Sequence, residues 1–144
     1  MNHCDLEVGA VIFYERFSGA EGLKDRYFIV VRNSSPVVAC LTTTTRTHSE
    51  TNPKLATEFC EVAKDESCLP KRCFIDLRNI YSFDDIVLGS KIRAKSVKTI
   101  GHLEEPVLLK LRGALVGSRG IAPIDKERLL QAIDAELDKL NQVP

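Results

Sequence analysis

Gly9-Ala-Val-Ile-Phe-Tyr14, Lys24-Asp-Arg-Tyr-Phe-Ile-Val-Val31 and Val37-Val-Ala-Cys-Leu-Thr-Thr-Thr-Thr45 are the stretches whose reading decides the fold. Each is short, rich in β-branched and aromatic residues, and bounded by turn chemistry, which is how strands read. The first strand is placed at Leu6 to Phe17, with Val11 and Phe13 on one face and Ile12 and Tyr14 on the other. A Gly-bearing loop, Ser18-Gly-Ala-Glu-Gly22, leads to a second strand from Arg26 to Arg32. Asn33-Ser-Ser-Pro36 turns the chain into a third, Val37 to Thr45. This order puts Arg26 and a threonine cluster at strand ends, where side chains meet solvent and ligands.

Working outward, a polar stretch from Thr44 to Lys54 is long enough to be a functional loop. Thr57 to Ala63 reads as a fourth strand, Cys73 to Tyr81 as a fifth and Gly89 to Ile100 as a sixth. The pattern then changes. Glu104-Glu-Pro106 opens a helix, with acids in its first turn and proline near its start. Val107, Leu108, Leu111 and Leu115 follow helical spacing, and Gly117 to Gly120 ends the run. Asp125 is read as the cap of a second helix, striped by Leu129, Ile133, Leu137 and Leu140 with Leu130 alongside. Strands followed by helices indicate an α+β fold, a small curled sheet or barrel of about six strands closed by two C-terminal helices. Residues 1–123 form the barrel domain with its first helix, and 124–144 a helical extension on the barrel or on a dimer partner.

A chain of 144 residues with 44% hydrophobic content is large enough to bury a core as one domain. Its formal net charge is zero, so attraction to nucleic acid has to come from a local patch. No apolar run approaches the ~20 residues of a membrane span, and no membrane partner is expected. The N-terminal residues lack the basic and apolar regions of a secretory signal. Five cysteines, an odd set without CxxC spacing, fit reduced thiols in a cytoplasmic protein. Cys60, Cys68, Cys73 and His102 lack the spacing of zinc pairs, so no metal or other cofactor is expected.

Read in order, Gly9, Gly19 and Gly22, Arg26, Thr42-Thr43, the Leu69-Pro70 turn, Asn79-Ile-Tyr-Ser-Phe-Asp84 and Ile100-Gly-His-Leu-Glu-Glu105 resemble the MazF/PemK family of toxin endoribonucleases over roughly Gly9 to Leu115. The resemblance implies an SH3-like barrel, metal-independent cleavage of single-stranded RNA, a homodimer, and restraint by a cognate antitoxin protein. It places Arg26 and Thr42 as catalytic residues at the scissile phosphate, with Thr43 beside them. The chain departs from the family at Tyr27 and Cys40, where proline is usual. It carries Asp76-Leu-Arg78 where some members have an Arg-x-Asp pair, and it has extra residues around Ile92 to Lys98 and a second C-terminal helix.

Metal-free RNA cleavage needs a base for the 2′-hydroxyl, an acid for the leaving oxygen and cationic stabilisation of the phosphorane. Asp76 and Arg78 are two apart on an expected strand and so share a face. They serve either as base and phosphate clamp or as an ordinary ion pair. Arg46 and His48 in the polar loop offer a cation and a proton carrier near neutral pH, or simply solvated loop residues. Lys91, Arg93 and Lys95 alternate with Ile92, Ala94 and Ser96. At strand spacing they form a track for a nucleic-acid backbone, or a charged edge that blocks aggregation. Tyr14, Tyr27 and Tyr81 are the candidates for base stacking, with packing as the alternative use. The rival reading is a non-catalytic PemK-like barrel that binds DNA, RNA or a protein, and a gyrase-poison-like barrel is a third.

Overall fold

A computed structural model of the chain describes residues 5–19, 22–45 and 52–142. The three opening stretches form an antiparallel meander of β1 (Ala10–Gly19), β2 (Gly22–Ser34) and β3 (Val37–Thr44). Their alternation sorts side chains between two cores. Val11, Ile29, Val31, Ala39 and Leu41 face one side, and Ala10, Ile12, Phe28, Val30, Val38 and Cys40 the other. Both faces of the sheet are therefore apolar and both are covered.

Beyond the meander, the strands are shorter than their sequence suggests. A 3₁₀ helix, Pro53–Glu58, starts at Asn52, whose side chain accepts from Lys54 N at 3.3 Å. It delivers β4 (Phe59–Val62), so only part of the expected fourth strand is extended. The expected fifth strand is two strands, β5 (Cys73–Asp76) and β6 (Tyr81–Asp84). The break falls where Asp76 Oδ1 accepts from Arg78 N at 2.9 Å, a local bond that competes with ladder pairing. The two pieces then use different halves of β3: β6 pairs with Val37–Cys40, and β5 with Thr43 and Thr44.

The expected sixth strand is corrected more deeply. Asp84 Oδ1 accepts from Ile86 N and Val87 N at 2.9 and 3.1 Å, which starts the helix α1 (Asp85–Arg93). Lys95, at φ +65°, turns the chain out of the helix, and β7 (Val97–His102) then pairs with β1. The final helices are α2 (Glu105–Gly117) and α3 (Pro123–Leu140). Their buried positions include Val107, Leu108, Leu111, Leu115, Leu129, Ile133 and Leu137, as the helical spacing requires. Asp125 lies in the first turn of α3 rather than at its cap, which is Ala122.

The sheet has seven strands in the order β4-β5-β3-β2-β1-β7, with β6 beside β5 on the edge of β3 opposite β2. No ladder joins β7 to β6 or to β4 among the described residues, so the sheet is not closed into a barrel. The helices α2 and α3 cover one face, and α3 also reaches β2. On the other face Tyr14, Phe17, Phe28, Tyr81 and Phe83 meet ring to ring, with centroid separations of 5.1 to 6.1 Å. Tyr14 and Tyr81 are thus packing residues. No helix among the described residues is long and apolar enough to cross a membrane.

Candidate functional site

Three separate segments converge on one groove of about 300 Å³. The start of β2 supplies Lys24, Asp25, Arg26 and Tyr27, the end of β3 supplies Thr43 to Thr45, and the Leu69-Pro70 turn brings Lys71 and Cys73. Strand geometry explains the selection. Thr43 shares the face of Leu41 and opens into the groove. Thr42 shares the face of Cys40 and is 4% exposed, with its Oγ1 donating to Tyr27 O at 3.2 Å. Thr42 therefore braces β2 against β3, and Thr43, with Thr44 and Thr45, is on the groove wall. Tyr27 packs its ring on Phe13 at 5.0 Å and also lines the groove.

The groove is cationic. Lys24, Arg26 and Lys71 line it against a single carboxylate, Asp25, among the described residues. Asp25 is anchored, since its Oδ1 accepts from Arg16 N at 2.9 Å across a β-bulge between Tyr14 and Phe17. Such convergent donors around an apolar floor of Leu69 and Pro70 suit an anionic, partly apolar ligand.

Asp76 and Arg78 are not in this groove. On β5 the side chains of Cys73 and Ile75 enter the core beside the groove, and Asp76 points to the opposite face. Asp76 is 7% exposed, and its two oxygens receive Arg78 Nε at 3.0 Å and Nη2 at 2.8 Å. The guanidinium lies 4.9 Å over the Phe59 ring, and the carboxylate holds its pKa above the ordinary arginine value. With both partners engaged in a two-point bond, the pair is an internal clamp on the chain between β5 and β6.

Lys91, Arg93 and Lys95 do not form a strand-spaced track. Lys91 and Arg93 are in the last turn of α1, and Lys95 lies beyond it. Two helical positions two apart diverge by about 200° around the axis, and Lys91 is spent over the Tyr14 ring at 5.7 Å. Arg46 and His48 lie outside the described residues.

Cys40, Cys60, Cys68 and Cys73 are thiols rather than disulfides. Burial pushes Cys60 and Cys73 up to about 11, which keeps both protonated and unreactive at neutral pH. Sequence reading missed Lys71, although its place directly after a turn was a usable signal. It also missed Glu58, a buried carboxylate that accepts from Arg119 N at 2.5 Å and Gly120 N at 3.1 Å. Comparison with models of known protein families returns no match, and comparison with curated proteins returns none either.

Proposed function

We propose that the groove binds the phosphodiester backbone of single-stranded RNA and that the protein acts there as a metal-independent endoribonuclease of the MazF/PemK type. The observation that carries this reading is the meeting of Arg26, Thr43 and the Leu69-Pro70 turn, three motifs far apart in the chain, in one cationic groove. Arg26 neutralises the phosphorane, Thr43 donates to a phosphate oxygen, and Lys24 and Lys71 hold the flanking phosphates. Asp25, rather than Asp76, is the carboxylate that receives the 2′-hydroxyl proton. The 2′-oxygen bonds to phosphorus, the bond from phosphorus to the 5′-oxygen breaks, and solvent water protonates that oxygen to leave a 2′,3′-cyclic phosphate. On this reading the open seven-stranded sheet is a variant of the SH3-like barrel. The protein then works as a cytoplasmic homodimer, a growth inhibitor paired with an antitoxin protein.

One observation favours a second reading, in which the groove binds nucleic acid without cutting it. Thr42 is buried and Asp76 is locked to Arg78, so two of the residues that the resemblance assigns to chemistry are used structurally. One experiment separates the two. Purified protein is incubated with labelled single-stranded RNA of varied sequence in EDTA, and both binding and product length are followed. Cleavage that disappears in Arg26→Ala supports the endoribonuclease. Salt-dependent binding without products supports the second reading. Lys71→Ala is expected to weaken binding across sequences and to reduce the salt slope by ~0.7, the value for one phosphate contact on a single strand. A folded protein that neither binds nor cuts RNA overturns both.

A further inference from the structure

Away from the groove, three elements bring a histidine and two carboxylates together. Glu7 precedes β1, His102 ends β7, and Glu136 lies on α3. Their ligand atoms all lie within 4.8 Å of one another. His102 Nδ1 is 2.7 Å from Leu103 O. A carbonyl only accepts, so Nδ1 carries the proton, and in the neutral ring Nε2 presents a lone pair. That Nε2 is buried and has no hydrogen-bond partner. It stands 3.9 Å from Glu7 Oε2 and 3.9 Å from Glu136 Oε1, beyond hydrogen-bond reach of either.

Glu136 sharpens the problem. It is 4% exposed, and its carboxylate meets His102 Nε2 and Lys139 Nζ only at 3.9 and 3.7 Å. A buried nitrogen lone pair left without a partner beside two carboxylates is costly unless something occupies the gap. One imidazole nitrogen with two carboxylates is the donor set of a borderline divalent ion. Donors around a tetrahedral ion with bonds of ~2.0–2.1 Å stand ~3.4 Å apart. Rotation of the exposed Glu7 closes its own distances, and a shift of about half an ångström between His102 and Glu136 closes theirs. The Nδ1–H bond to a backbone carbonyl is the outer contact that fixes a ligating histidine. Gly9 makes room for the ring: at φ +93°, a Cβ there would lie 2.8 Å from His102 Cε1.

We propose that Glu7, His102 and Glu136 bind one divalent first-row transition-metal ion, which staples α3 to the sheet at the junction of β1 and β7. Lys139, with Nζ 3.8 Å from Glu7 and a side chain 60% exposed, is the competing cation and swings outward when the ion enters. This site is separate from the RNA groove and does not depend on it.

The test uses chelator-treated full-length protein under a non-thiol reductant. Zn²⁺ titration followed by calorimetry and thermal melting is expected to show one saturable equivalent and a raised Tm. Glu7→Gln and His102→Gln are each expected to lower affinity at least ~10-fold. Bound Co²⁺ is expected to give visible absorption without a thiolate charge-transfer band, which separates this site from the cysteines. Glu7 is exposed, so its variant keeps the test open if His102→Gln fails to fold. Absence of saturable Zn²⁺ binding at micromolar concentrations, wild-type affinity in Glu7→Gln, or a thiolate band on Co²⁺ overturns the proposal.

Discussion

Gly9 takes φ +93°, a conformation that L side chains rarely adopt, while its N–H donates to Val30 O at 2.7 Å and its carbonyl accepts from Leu103 N at 2.8 Å. It is therefore held on both sides, and the His102 ring closes over the space a Cβ would fill. Gly9→Ala is expected to destabilise the protein by ~1–3 kcal/mol, read as a lower urea midpoint at unchanged m. A loss below ~0.5 kcal/mol would show that the turn relaxes freely. The sequence makes Gly9 visible as the start of a strand, but its contact with a residue 93 positions away is invisible to local pattern. The same limit applies to the threonines. That a hydroxyl cluster ends β3 is legible, but which hydroxyl faces the groove depends on strand phase. That phase is fixed by the pairing of Phe28 with Thr42, a partner in another strand.

At the scale of elements, long periodic segments read well and short ones do not. The apolar stripes of α2 and α3 and the alternation of β1 to β3 are each set by many residues that agree. By contrast, Lys91 to Ser96 offers one alternation that a strand and a helix edge satisfy equally, and the decision rests on the Asp84 cap upstream. The connection between α2 and α3 depends on one side chain of another element. Glu58, at the end of the 3₁₀ helix, satisfies the N–H groups of Arg119 and Gly120. Gly120 is tight against it, since a Cβ there would lie 3.1 Å from Glu58 Oε2 and from Arg78 Cα. Glu58→Ala leaves two donors without their acceptor in a crowded site and is expected to cost ~1–3 kcal/mol. Hydrogen exchange is expected to rise at residues 118–121 first; unchanged protection there would refute this latch.

Across the whole molecule, the larger core, which the final helices cover, holds two thiols that stay neutral. Cys60 and Cys73 are held at about 11, chiefly by burial, against an ordinary thiol value of 9.0. Below pH 9 the thiols are protonated in both folded and unfolded chains and contribute no slope. Between pH 9 and about 11 the unfolded chain ionises first, so stability falls as pH rises. Chemical denaturation from pH 7 to 11 is expected to show this decline, and a Cys60→Ala, Cys73→Ala variant a shallower one. Equal slopes in the two proteins would remove the thiols as the cause.

The pairing of β1 with β7 has a consequence for the order of assembly. Val11 lies opposite Gly101, so this ladder closes a loop of about 90 residues, whereas β1 to β3 close on near neighbours. The meander can form early, but its first strand keeps an open hydrogen-bonding edge until residues 97–102 have been synthesised and arrive. During that interval an apolar edge built on Val11 and Ile12 is available to any other extended chain, and β7 is the segment that retires it.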